Sequence, residues 1–507
     1  MIAEERGVAT RRYLQAIDRR EPVPVESATA PPRYKRYPGT SRTVLDDCWT
    51  GHVLRGLIGL TRIAWIRPND EAGFPRPGRA SVVIGRPGPS GGALYPIEAY
   101  TVGGSALCHY DVVHHMLETV REGDHRPFLT GLLTGPPAWS HDTVVGPGVV
   151  ELMVVLTAVF WRNGVKYGDF AYRLQCQEIG VLAAQALALA EVLGLRAAVH
   201  LAFDGDAADR LLGLEPADEG ALAVLSFSGR HTTEDPSAPT ATSATHPPPI
   251  TGRPPGVAAA TATESRAEPS DVRLPYLAAL HAATRRASGA ADVPPGDAVP
   301  PPPAGPAVAL ADPKSVRASD GIAHRASPVN GYRADPLADE DLATILALGA
   351  PPGQAASTAL YVLAVRVPGL PCGSYRYCPE RMALIETGGQ EAVARVCGGR
   401  LAANTRACLR TAAAVIVPVG DPLAGLARCG DLWFRRQQAE TGLVVHRAAL
   451  AASALGLTSR IHSDGANPDT DAALGLAGTP WRSLSFLLIG APRRSGPVLA
   501  PVGPAGW

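Results

Sequence analysis

The distribution of apolar residues predicts two long amphipathic helices, one in each half of the chain. In residues 173–193, apolar side chains recur every three or four positions, which is the spacing of one helical face. Gly194 follows this segment, and glycine is a common residue at a helix end. Residues 440–455 repeat the pattern in the second half. The apolar stripe of the first helix consists of Ile179, Leu182, Ala183, Ala186, Leu187 and Ala190.

Shorter apolar runs between polar turns predict strands, and helices of ordinary length separate them. Strands mixed with helices in this proportion predict an α+β fold, in which helices pack on a sheet. The predicted strands cover residues 97–102, 151–160, 221–227, 360–367, 412–419 and 484–489, and the shorter helices cover residues 54–65, 275–286 and 337–348.

One passage of the sequence occurs twice, which predicts two similar domains in tandem. Gly168-Asp169 recurs as Gly430-Asp431, and further matches continue at the same offset of 262 residues. Upstream, Ala93-Leu94-Tyr95 matches Ala359-Leu360-Tyr361 at an offset of 266. Solenoid repeats are only about 20–50 residues long, so this repeat indicates duplicated domains. The predicted division is an N-terminal arm at 1–45, a first domain at 46–230, a disordered linker rich in Pro, Ser, Thr and Ala at 231–270, and a second domain at 271–507 that includes a Pro-rich loop at 291–306.

Composition and charge exclude several classes of function. Lys and Arg together number 47, as do Asp and Glu, so the overall charge does not indicate a nucleic-acid partner. The eight cysteines contain no Cys-x-x-Cys pair, which favours reduced thiols in a cytoplasmic protein and gives no spacing for zinc ligands. The sequence has no run of 18 apolar residues and no signal pattern, so neither a membrane span nor secretion is expected.

The first candidate for chemistry is the loop at residues 88–96, Gly-Pro-Ser-Gly-Gly-Ala-Leu-Tyr-Pro. Its glycines allow the backbone to approach a flat ligand, and Ser90 can present a hydroxyl to it. The matching residues 355–362 of the second copy have other residues in place of Pro89, Ser90 and both glycines. A plain turn before a strand is the alternative interpretation.

Candidates for binding a phosphate lie in the second copy. Arg325 and Ser327 are two positions apart and can both donate to one phosphate, the arginine through its forked guanidinium. Arg493 and Arg494 follow the last predicted strand and would add positive charge. The first copy has basic residues in the corresponding region, at 34–42, but no clean equivalent. A surface loop and a solvated basic end are the alternatives.

The remaining candidate is Lys166-Tyr167-Gly168, which precedes the long helix of the first copy. A lysine beside a tyrosine can act as base and acid when partial burial makes the amine less basic. The second copy has Arg428-Cys429 at these positions, and an arginine does not release its proton near neutral pH. An exposed pair on a loop is the alternative.

Together these segments resemble the nitroreductase-like flavoprotein superfamily and, within it, the SagB-type azoline dehydrogenases of ribosomal peptide biosynthesis. The resemblance implies two tandem nitroreductase-like domains, each with a mixed, mainly antiparallel sheet and packed helices, which form an intramolecular pseudo-dimer. The matching motifs are the loop at 88–96 with the strand at 97–102, residues 109–118, Lys166-Tyr167-Gly168, residues 172–195 and the Arg-x-Ser block at 325–327.

The resemblance also implies an FMN cofactor and the residues that bind it. Two subunits of that family share each FMN, so a fused chain would build a complete site from both copies. The mirror-image site would lack the phosphate motif and the glycine loop, so we expect one FMN per chain. The implied FMN-binding residues are Arg325, Ser327, Ser463, Asp464, Gly465 and Arg493 or Arg494 from the second copy, and Pro89, Ser90, Gly91 and Gly92 from the first.

The implied activity is oxidation of a thiazoline or oxazoline ring to the aromatic azole in a ribosomally made precursor peptide. Lys166 and Tyr167 would be the catalytic pair, FMN the hydride acceptor and oxygen the final oxidant. A cyclodehydratase would be the partner enzyme. Two alternatives stay open, namely an NAD(P)H-dependent flavin reductase or nitroreductase, and a flavin-free scaffold of the biosynthetic complex.

Overall fold

The structure is a computed structural model of the 507-residue chain. It describes residues 6–19, 32–45, 48–66, 81–142, 150–229, 274–285, 298–328, 330–351, 356–493 and 498–501. The predicted linker at 231–270, the part of the Pro-rich loop up to residue 297, and Arg494 lie outside the described residues.

The first copy is built from one long helix, several shorter helices and one antiparallel sheet. Its elements in chain order are α1 (Val8–Arg19), β1 (Arg42–Val44), α2 (Trp49–Ile58), β2 (Arg62–Ile66), β3 (Ser81–Gly85), β4 (Ile97–Val102), β5 (Ala106–Asp111), β6 (Met116–Glu122), α3 (Arg126–Gly131), β7 (Trp139–His141), β8 (Leu152–Val159), α4 (Phe160–Tyr167), α5 (Ala171–Leu193), β9 (Leu195–His200), α6 (Gly205–Leu212) and β10 (Glu219–Gly229). The strand order in the sheet is β1-β6-β5-β4-β8-β10-β9-β7.

The second copy has the same plan. Its elements are α7 (Pro275–Arg285), β11 (Ala307–Ala309), α8 (Ala318–His324), α9 (Asp339–Gly349), β12 (Ala359–Ala364), β13 (Gly373–Cys378), β14 (Ala383–Gly388), α10 (Gln390–Gly398), α11 (Ala403–Leu409), β15 (Ala414–Gly420), α12 (Leu426–Cys429), α13 (Leu432–Ala454), β16 (Thr458–Ile461), α14 (Pro468–Ala473), β17 (Arg482–Ser483), β18 (Leu487–Gly490) and β19 (Val498–Pro501). The sheet order is β11-β14-β13-β12-β15-β18-β16, with β17 beside β15. A third, small sheet pairs β19 with β2 and β2 with β3, and so joins the copies.

The strand registers confirm the duplication and its offset. Phe227 lies opposite Ala197 in the first sheet, and Ile489 lies opposite Ser459 in the second, so both partners are displaced by 262 residues. Seven strands follow the same order in the two sheets, and the strand pairings of the described residues are antiparallel. The expected α+β architecture of two tandem domains is therefore confirmed.

The upstream match at offset 266 is wrong. Thr157 pairs with Glu98 in the first sheet, whereas the corresponding Val419 pairs with Ala359 in the second. Ala359 therefore takes the place of Glu98 and not of Ala93. The three matching letters do not mark equivalent positions, because Ala93 precedes β4 whereas Ala359 is the first residue of β12.

The two copies differ most in which connecting segments they possess. Residues 59–96 connect α2 to β4 in the first copy, whereas only residues 350–358 connect α9 to β12 in the second. Conversely, residues 310–338 connect β11 to α9, and residues 45–48 make the same connection in the first copy. Each copy therefore has one long segment that the other lacks.

These segments contain the two motifs that the sequence singled out. The loop at 88–96 lies in the long segment of the first copy, and the Arg-x-Ser block lies in that of the second. The basic residues at 34–42 are not a remnant of that block, because Lys35 pairs with Glu219 and Arg42 pairs with Glu118 within the first copy.

The long helices α5 and α13 pack against each other where two equivalent glycines meet. A Cβ atom on Gly180 would lie 1.7 Å from the Ala439 carbonyl oxygen, and one on Gly442 would lie 1.8 Å from that of Gln177. Both backbones can approach this closely only without a side chain. The stretch Phe160–Leu193, which includes α5, has the length and composition of a membrane span, and most of its apolar window is buried inside the protein.

Helix α1 is hydrogen-bonded to the second copy, and helix α7 is hydrogen-bonded to the first. Asp431 of the second copy accepts hydrogen bonds from the backbone N–H and the hydroxyl of Thr10 in α1, both at 2.7 Å. The equivalent Asp169 of the first copy accepts from the N–H of Leu277 in α7, also at 2.7 Å. The N-terminal arm therefore contains a helix that is fastened to the second copy.

Two predicted elements have wrong boundaries. The predicted helix at 54–65 is α2 followed by β2, because the chain leaves the helix at Gly59 and continues into the β-branched and aromatic residues of β2. The predicted helix at 440–455 begins earlier, at Leu432. Its first two turns carry buried polar side chains, among them Arg435 and Gln437, which conceal the apolar spacing.

Candidate functional site

A cavity of about 1340 Å³ lies between the two copies. The first copy contributes the glycine loop, the end of α4 and the strands β2 and β3, and the second contributes residues 325–328, 330–331, 458 and 460–464. The cavity thus brings together motifs that are far apart in the sequence. Of the residues predicted from the sequence, those that line it are Pro89, Ser90, Gly91, Gly92, Lys166, Tyr167, Arg325, Ser327, Ser463, Asp464 and Arg493.

The glycine loop is held in place by Ser90 rather than presenting that hydroxyl to a ligand. Ser90 Oγ donates to Glu178 Oε2 at 2.7 Å and accepts from the Tyr95 N–H at 2.9 Å. Burial raises the pKa of the Glu178 carboxyl to about 7, and the Ser90 hydrogen bond opposes that shift. Gly92 has a φ of 66°, in the left-handed region that favours glycine. The loop therefore offers the cavity backbone surface.

Lys166 and Tyr167 stand directly over this loop. They are the last residues of α4, which ends at Gly168 with a φ of 56°. A Cβ atom on Gly92 would lie 2.8 Å from Tyr167 Oη and 3.1 Å from Lys166 Nζ, so both polar atoms face the glycine. Tyr167 is half-buried, but Lys166 is exposed, so the partial burial expected for the lysine is not observed.

A buried ion pair fixes α4 relative to the loop. Arg162 of α4 approaches Glu98 of β4 to 2.6 Å, and both side chains are almost completely buried. Arg162 also donates to the Tyr95 carbonyl oxygen at 2.9 Å. Because Tyr95 follows the glycine loop, this arginine sets the distance between the loop and the Lys166-Tyr167 pair.

Two arginines meet on the opposite wall. Arg325, which is 5% exposed, donates from Nε to the Pro87 carbonyl oxygen at 2.6 Å, and its Nη1 lies 3.4 Å from Ser327 Oγ. Arg62 of β2, which is half-buried, donates to the Arg325 carbonyl oxygen at 3.0 Å. Burial and the nearby Arg62 lower the pKa of Arg325, Tyr95 opposes that shift, and no carboxylate of the described residues does. Two adjacent cations that have no carboxylate partner among the described residues are suited to binding an anion.

Further positive charge comes from two arginines of the second copy. Arg460 donates to the Pro328 carbonyl oxygen at 3.0 Å, and Arg493 donates to that of Tyr332 at 3.1 Å. Both line the cavity. Sequence reasoning missed Arg62 and Arg460, because each is a single arginine within a strand and belongs to no motif.

The segment after β16 contributes polar groups to the cavity, with one exception. Asp464 accepts hydrogen bonds from the Ala402 N–H and the Thr405 hydroxyl. Gly465 is buried away from the cavity, where an added Cβ would lie 2.2 Å from the Phe486 ring. Its role is packing, so the implied contact of Gly465 with FMN is not supported. His462, which the sequence reasoning also missed, lines the cavity beside Arg460.

The mirror-image position between the copies is almost filled. A cavity of about 40 Å³ remains there, lined by Leu201, Ala202 and Cys429 among others. Fully buried Phe203 stands where the second copy has Gly465. Arg435 lies 5.2 Å above the Phe203 ring and donates to the Leu201 carbonyl oxygen at 2.8 Å. Within the part of the chain that the structure describes, this residual cavity is far smaller than a flavin.

Comparison with solved structures identifies the fold. No protein-family model and no curated protein matches the sequence. A protein from Anabaena variabilis assigned as a nitroreductase superposes with a TM-score of 0.71 at 21% sequence identity, and the match covers 96% of this chain and 99% of that chain. This chain has a nitroreductase-like fold. The nitroreductase-like match extends over both copies.

Two further similarities are partial. A protein from Ralstonia eutropha assigned as a nitroreductase matches 41% of this chain and 87% of its own, with 20% identity and a TM-score of 0.28. The E. coli microcin synthetase McbBCD complex with truncated pro-MccB17 bound matches 38% of this chain and 76% of that chain, with 24% identity and a TM-score of 0.26.

Proposed function

We propose that this protein is an FMN-dependent azoline dehydrogenase, which oxidises thiazoline or oxazoline rings of a precursor peptide to azoles. The observation that carries the proposal is the position of Lys166 Nζ and Tyr167 Oη over Gly92, in a cavity whose opposite wall holds the buried Arg325 and the neighbouring Arg62. A proton-transfer pair and an anion site therefore share one cavity. We propose a cytoplasmic location and a cyclodehydratase partner as parts of the same function.

The chain fits FMN in two respects. The phosphate would be held by Arg325, Ser327 and Arg62, because the two arginines have no carboxylate partner among the described residues. The flat ring system would meet the backbone of the glycine loop, which lines the cavity together with Lys166 and Tyr167. When bound, FMN supplies the two-electron redox chemistry of the reaction.

The protein residues would supply proton transfer and orientation. Oxidation of an azoline ring removes a proton from Cα and a hydride from the β carbon, so a base must lie beside the ring. We assign that proton to Lys166 Nζ, which is exposed in the free protein and would lose its contact with water once cofactor and substrate fill the cavity, with Tyr167 Oη donating a hydrogen bond to the ring. Neither atom is hydrogen-bonded to another described residue, so both are available to a substrate. Arg162 is a positioning residue, because it acts on this pair through α4.

The two copies are unequal, since the glycine loop lies in the first and the Arg-x-Ser block in the second, and this supports one FMN site per chain. We propose units at 46–230 and 271–507 that form an intramolecular pseudo-dimer with one FMN. The filled mirror position, with its residual cavity of about 40 Å³, supports a single site.

The test of the catalytic pair is a Lys166→Ala variant assayed with a thiazoline peptide. We expect turnover to fall by about 10²- to 10⁴-fold, the usual effect of losing a general base, while the flavin stays bound and yellow. Arg428→Ala is the matched control, because Arg428 occupies the same position in the second copy and is exposed outside the cavity. Turnover at the wild-type rate in Lys166→Ala would refute the assignment.

The same preparation distinguishes the proposed dehydrogenase from a flavin reductase. In the absence of oxygen, a dehydrogenase is expected to lose its yellow colour on addition of the azoline peptide and to keep it with NADPH. Rapid bleaching by NADPH, without bleaching by the peptide, would replace the proposal with the reductase. A chain that takes up no flavin would replace it with the scaffold.

A further inference from the structure

A row of charged side chains crosses the sheet of the first copy, from its edge strand β1 to helix α4. Arg42 Nη2 of β1 lies 2.7 Å from Glu118 Oε1 of β6, and Glu118 Oε2 lies 3.1 Å from His109 Nδ1 of β5. His109 Nε2 lies 3.3 Å from Glu98 Oε2 of β4, and Glu98 Oε1 lies 2.6 Å from Arg162 Nη2 of α4. The four inner side chains are at most 4% exposed, so the row is buried.

The hydrogen bonds of His109 require both of its ring nitrogens to donate. A charged carboxylate only accepts hydrogen bonds, and His109 has one carboxylate on each side. Glu118 also accepts from the Tyr37 N–H at 3.0 Å, and Glu98 faces the Arg162 guanidinium, so both carboxylates are stabilised in the charged form. Burial lowers the pKa of His109, but the hydrogen bonds to the two carboxylates outweigh burial and raise it. The charges therefore alternate along the row, with an imidazolium at its centre.

Aromatic side chains and a second ion pair surround the imidazolium. The centroids of the Tyr37 and Tyr100 rings lie 5.1 Å and 5.2 Å from that of His109. The two hydroxyls are 2.7 Å apart, and Lys35 donates to Tyr100 Oη at 2.6 Å. Lys35 is also paired with Glu219 at 2.6 Å. Because this neighbouring lysine has its own acid, the two carboxylates of the row stay available to His109.

The second copy lacks the row at the positions that the structure describes. The strand registers and the offset of 262 place Ala307, Ile385, Arg376, Ala359 and Ala424 where the first copy has Arg42, Glu118, His109, Glu98 and Arg162. The helix differs together with the row, because α4 has eight residues and its counterpart α12 has four. The row therefore belongs to the copy that carries Lys166 and Tyr167, and not to the shared fold.

Arg162 connects the row to the proposed catalytic pair. Lys166 follows Arg162 by four residues, one turn further along α4, and Tyr167 is the last residue of that helix. Glu98 is the charged partner of this buried guanidinium, and His109 holds Glu98 on its other side. The row is remote from the ligand, since none of its members is among the described residues that line the cavity.

We infer that His109 and Glu118 are positioning residues for the reaction. By donating from both ring nitrogens, His109 fixes Glu98 between itself and Arg162, and Arg162 in turn fixes α4 and the pair at its end. The inference rests on the proposed function for the identity of the reaction, but the charge state and the effect on Lys166 can be measured without turnover.

The charge state is tested by the long-range ¹H–¹⁵N NMR spectrum of the histidine-labelled full chain at pH 7. The His109 signals are identified by their loss in His109→Gln. We expect both ring nitrogens of His109 to be protonated. His200, which is buried in β9 with its pKa lowered by burial to about 4, should show an unprotonated nitrogen in the same spectrum. An unprotonated nitrogen in His109 would overturn the inference.

Turnover is tested with a thiazoline peptide in His109→Gln and Glu118→Gln. Each is expected to lower kcat about 10- to 100-fold, the effect of displacing a catalytic group by about 1 Å, and to change FMN affinity less than about 2-fold. His200→Gln is the matched control, because His200 is buried in the same sheet outside the row, and it should keep the wild-type kcat. Wild-type kcat in both row variants, or an equal loss in His200→Gln, would contradict the inference. Glu118→Gln keeps the test valid if His109→Gln does not fold.

A double variant separates positioning from a loss of folded protein. In a Lys166→Ala background, His109→Gln should have little further effect on the residual turnover, because the side chain that the row positions is already absent. A loss of folded enzyme would lower turnover by the same factor in both backgrounds. Equal factors would therefore contradict the inference.

The lysine side chains provide a test that needs no activity. The sequence has three lysines, Lys35, Lys166 and Lys314, so a full chain labelled with ¹³C at the lysine ε carbons gives three signals. We expect His109→Gln to shift the Lys166 signal, which is identified by its loss in Lys166→Ala, and to leave that of the exposed Lys314 unchanged. An unchanged Lys166 signal would overturn the inference. A wild type that does not oxidise the peptide would refute the proposed function, whereas this spectrum would still decide whether the row positions Lys166.

Discussion

The residues of this site differ from those of an ordinary core, because two neighbouring arginines have no carboxylate partner among the described residues. Buried arginines normally pair with acids, because an unpaired buried charge is strongly destabilising. Among the described residues, Arg62 and Arg325 donate to backbone carbonyl oxygens and Arg325 also lies near the Ser327 hydroxyl, but neither arginine pairs with a carboxylate. We therefore propose that an anionic ligand completes this pair.

Replacing Arg62 tests this conclusion. We expect Arg62→Ala to weaken FMN binding by about 10- to 100-fold, because a charge-assisted hydrogen bond to the phosphate is lost. Riboflavin, which has no phosphate, should bind both proteins equally. Titration of intrinsic flavin fluorescence measures both constants. Arg317→Ala, which removes an exposed arginine elsewhere, controls for net charge, and an equal loss of riboflavin binding would contradict the assignment.

The raised pKa of Glu178 makes the free energy of unfolding depend on pH. Its folded-state pKa is raised to about 7 from an ordinary 4.5, so the folded protein binds the proton more tightly than the unfolded chain. The resulting stabilisation is complete below pH 4.5 and is lost as the pH rises through 7. Relative to Glu178→Gln, the wild type should therefore lose up to about 3 kcal/mol of unfolding free energy between pH 4.5 and pH 8. Urea unfolding at these pH values measures it, and equal pH profiles would refute the claim.

At the scale of elements, the crossing of α5 and α13 determines whether the copies can form one cavity. Gly180→Ala would place a methyl group 1.7 Å from the Ala439 carbonyl oxygen, so the helices must separate. We expect a loss of at least about 3 kcal/mol in unfolding free energy, at the upper end of overpacking effects. Gly131→Ala is the control, because nothing lies within 4 Å of its added Cβ. Equal stability of the two variants would contradict this role of the crossing.

Apolar periodicity was sufficient to predict the elements whose buried face is uniform. The strand predicted at 97–102 coincides with β4, and the helix predicted at 173–193 ends with α5 at Leu193. It failed where polar side chains are buried, as at the start of α13, and where the chain changes conformation within an apolar run, as at Gly59.

The candidate site was predictable to the extent that its residues form local motifs. Arg325 and Ser327 are close in sequence, as are Lys166 and Tyr167, and the structure brings all four into one cavity. Arg62 could not be found in this way, because its significance depends on a partner 263 residues away.

At the scale of the whole molecule, duplication and unequal connecting segments together account for one site. The sheets and the long helices correspond at a single offset, whereas the glycine loop and the Arg-x-Ser block lie in segments that only one copy has. The sequence comparison suggested that individual residues had been replaced. The strand registers show instead that whole segments are present on one side and missing on the other.

The mirror-image position between the copies is nearly filled by side chains. Phe203 and Arg435 occupy the space that would correspond to the cavity, and about 40 Å³ remains. Among the described residues, the glycine loop and the Arg-x-Ser block have no counterpart there. We therefore expect the two copies to act as one binding unit.

The flavin-to-protein ratio tests the central claim most directly. The purified full-length chain is saturated with FMN, freed of unbound flavin by gel filtration, and its visible absorbance is compared with the protein concentration. We expect a ratio near one, from a single composite site in the cavity between the copies. A ratio near two would contradict the account, because it would require a flavin at the position that Phe203 and Arg435 fill.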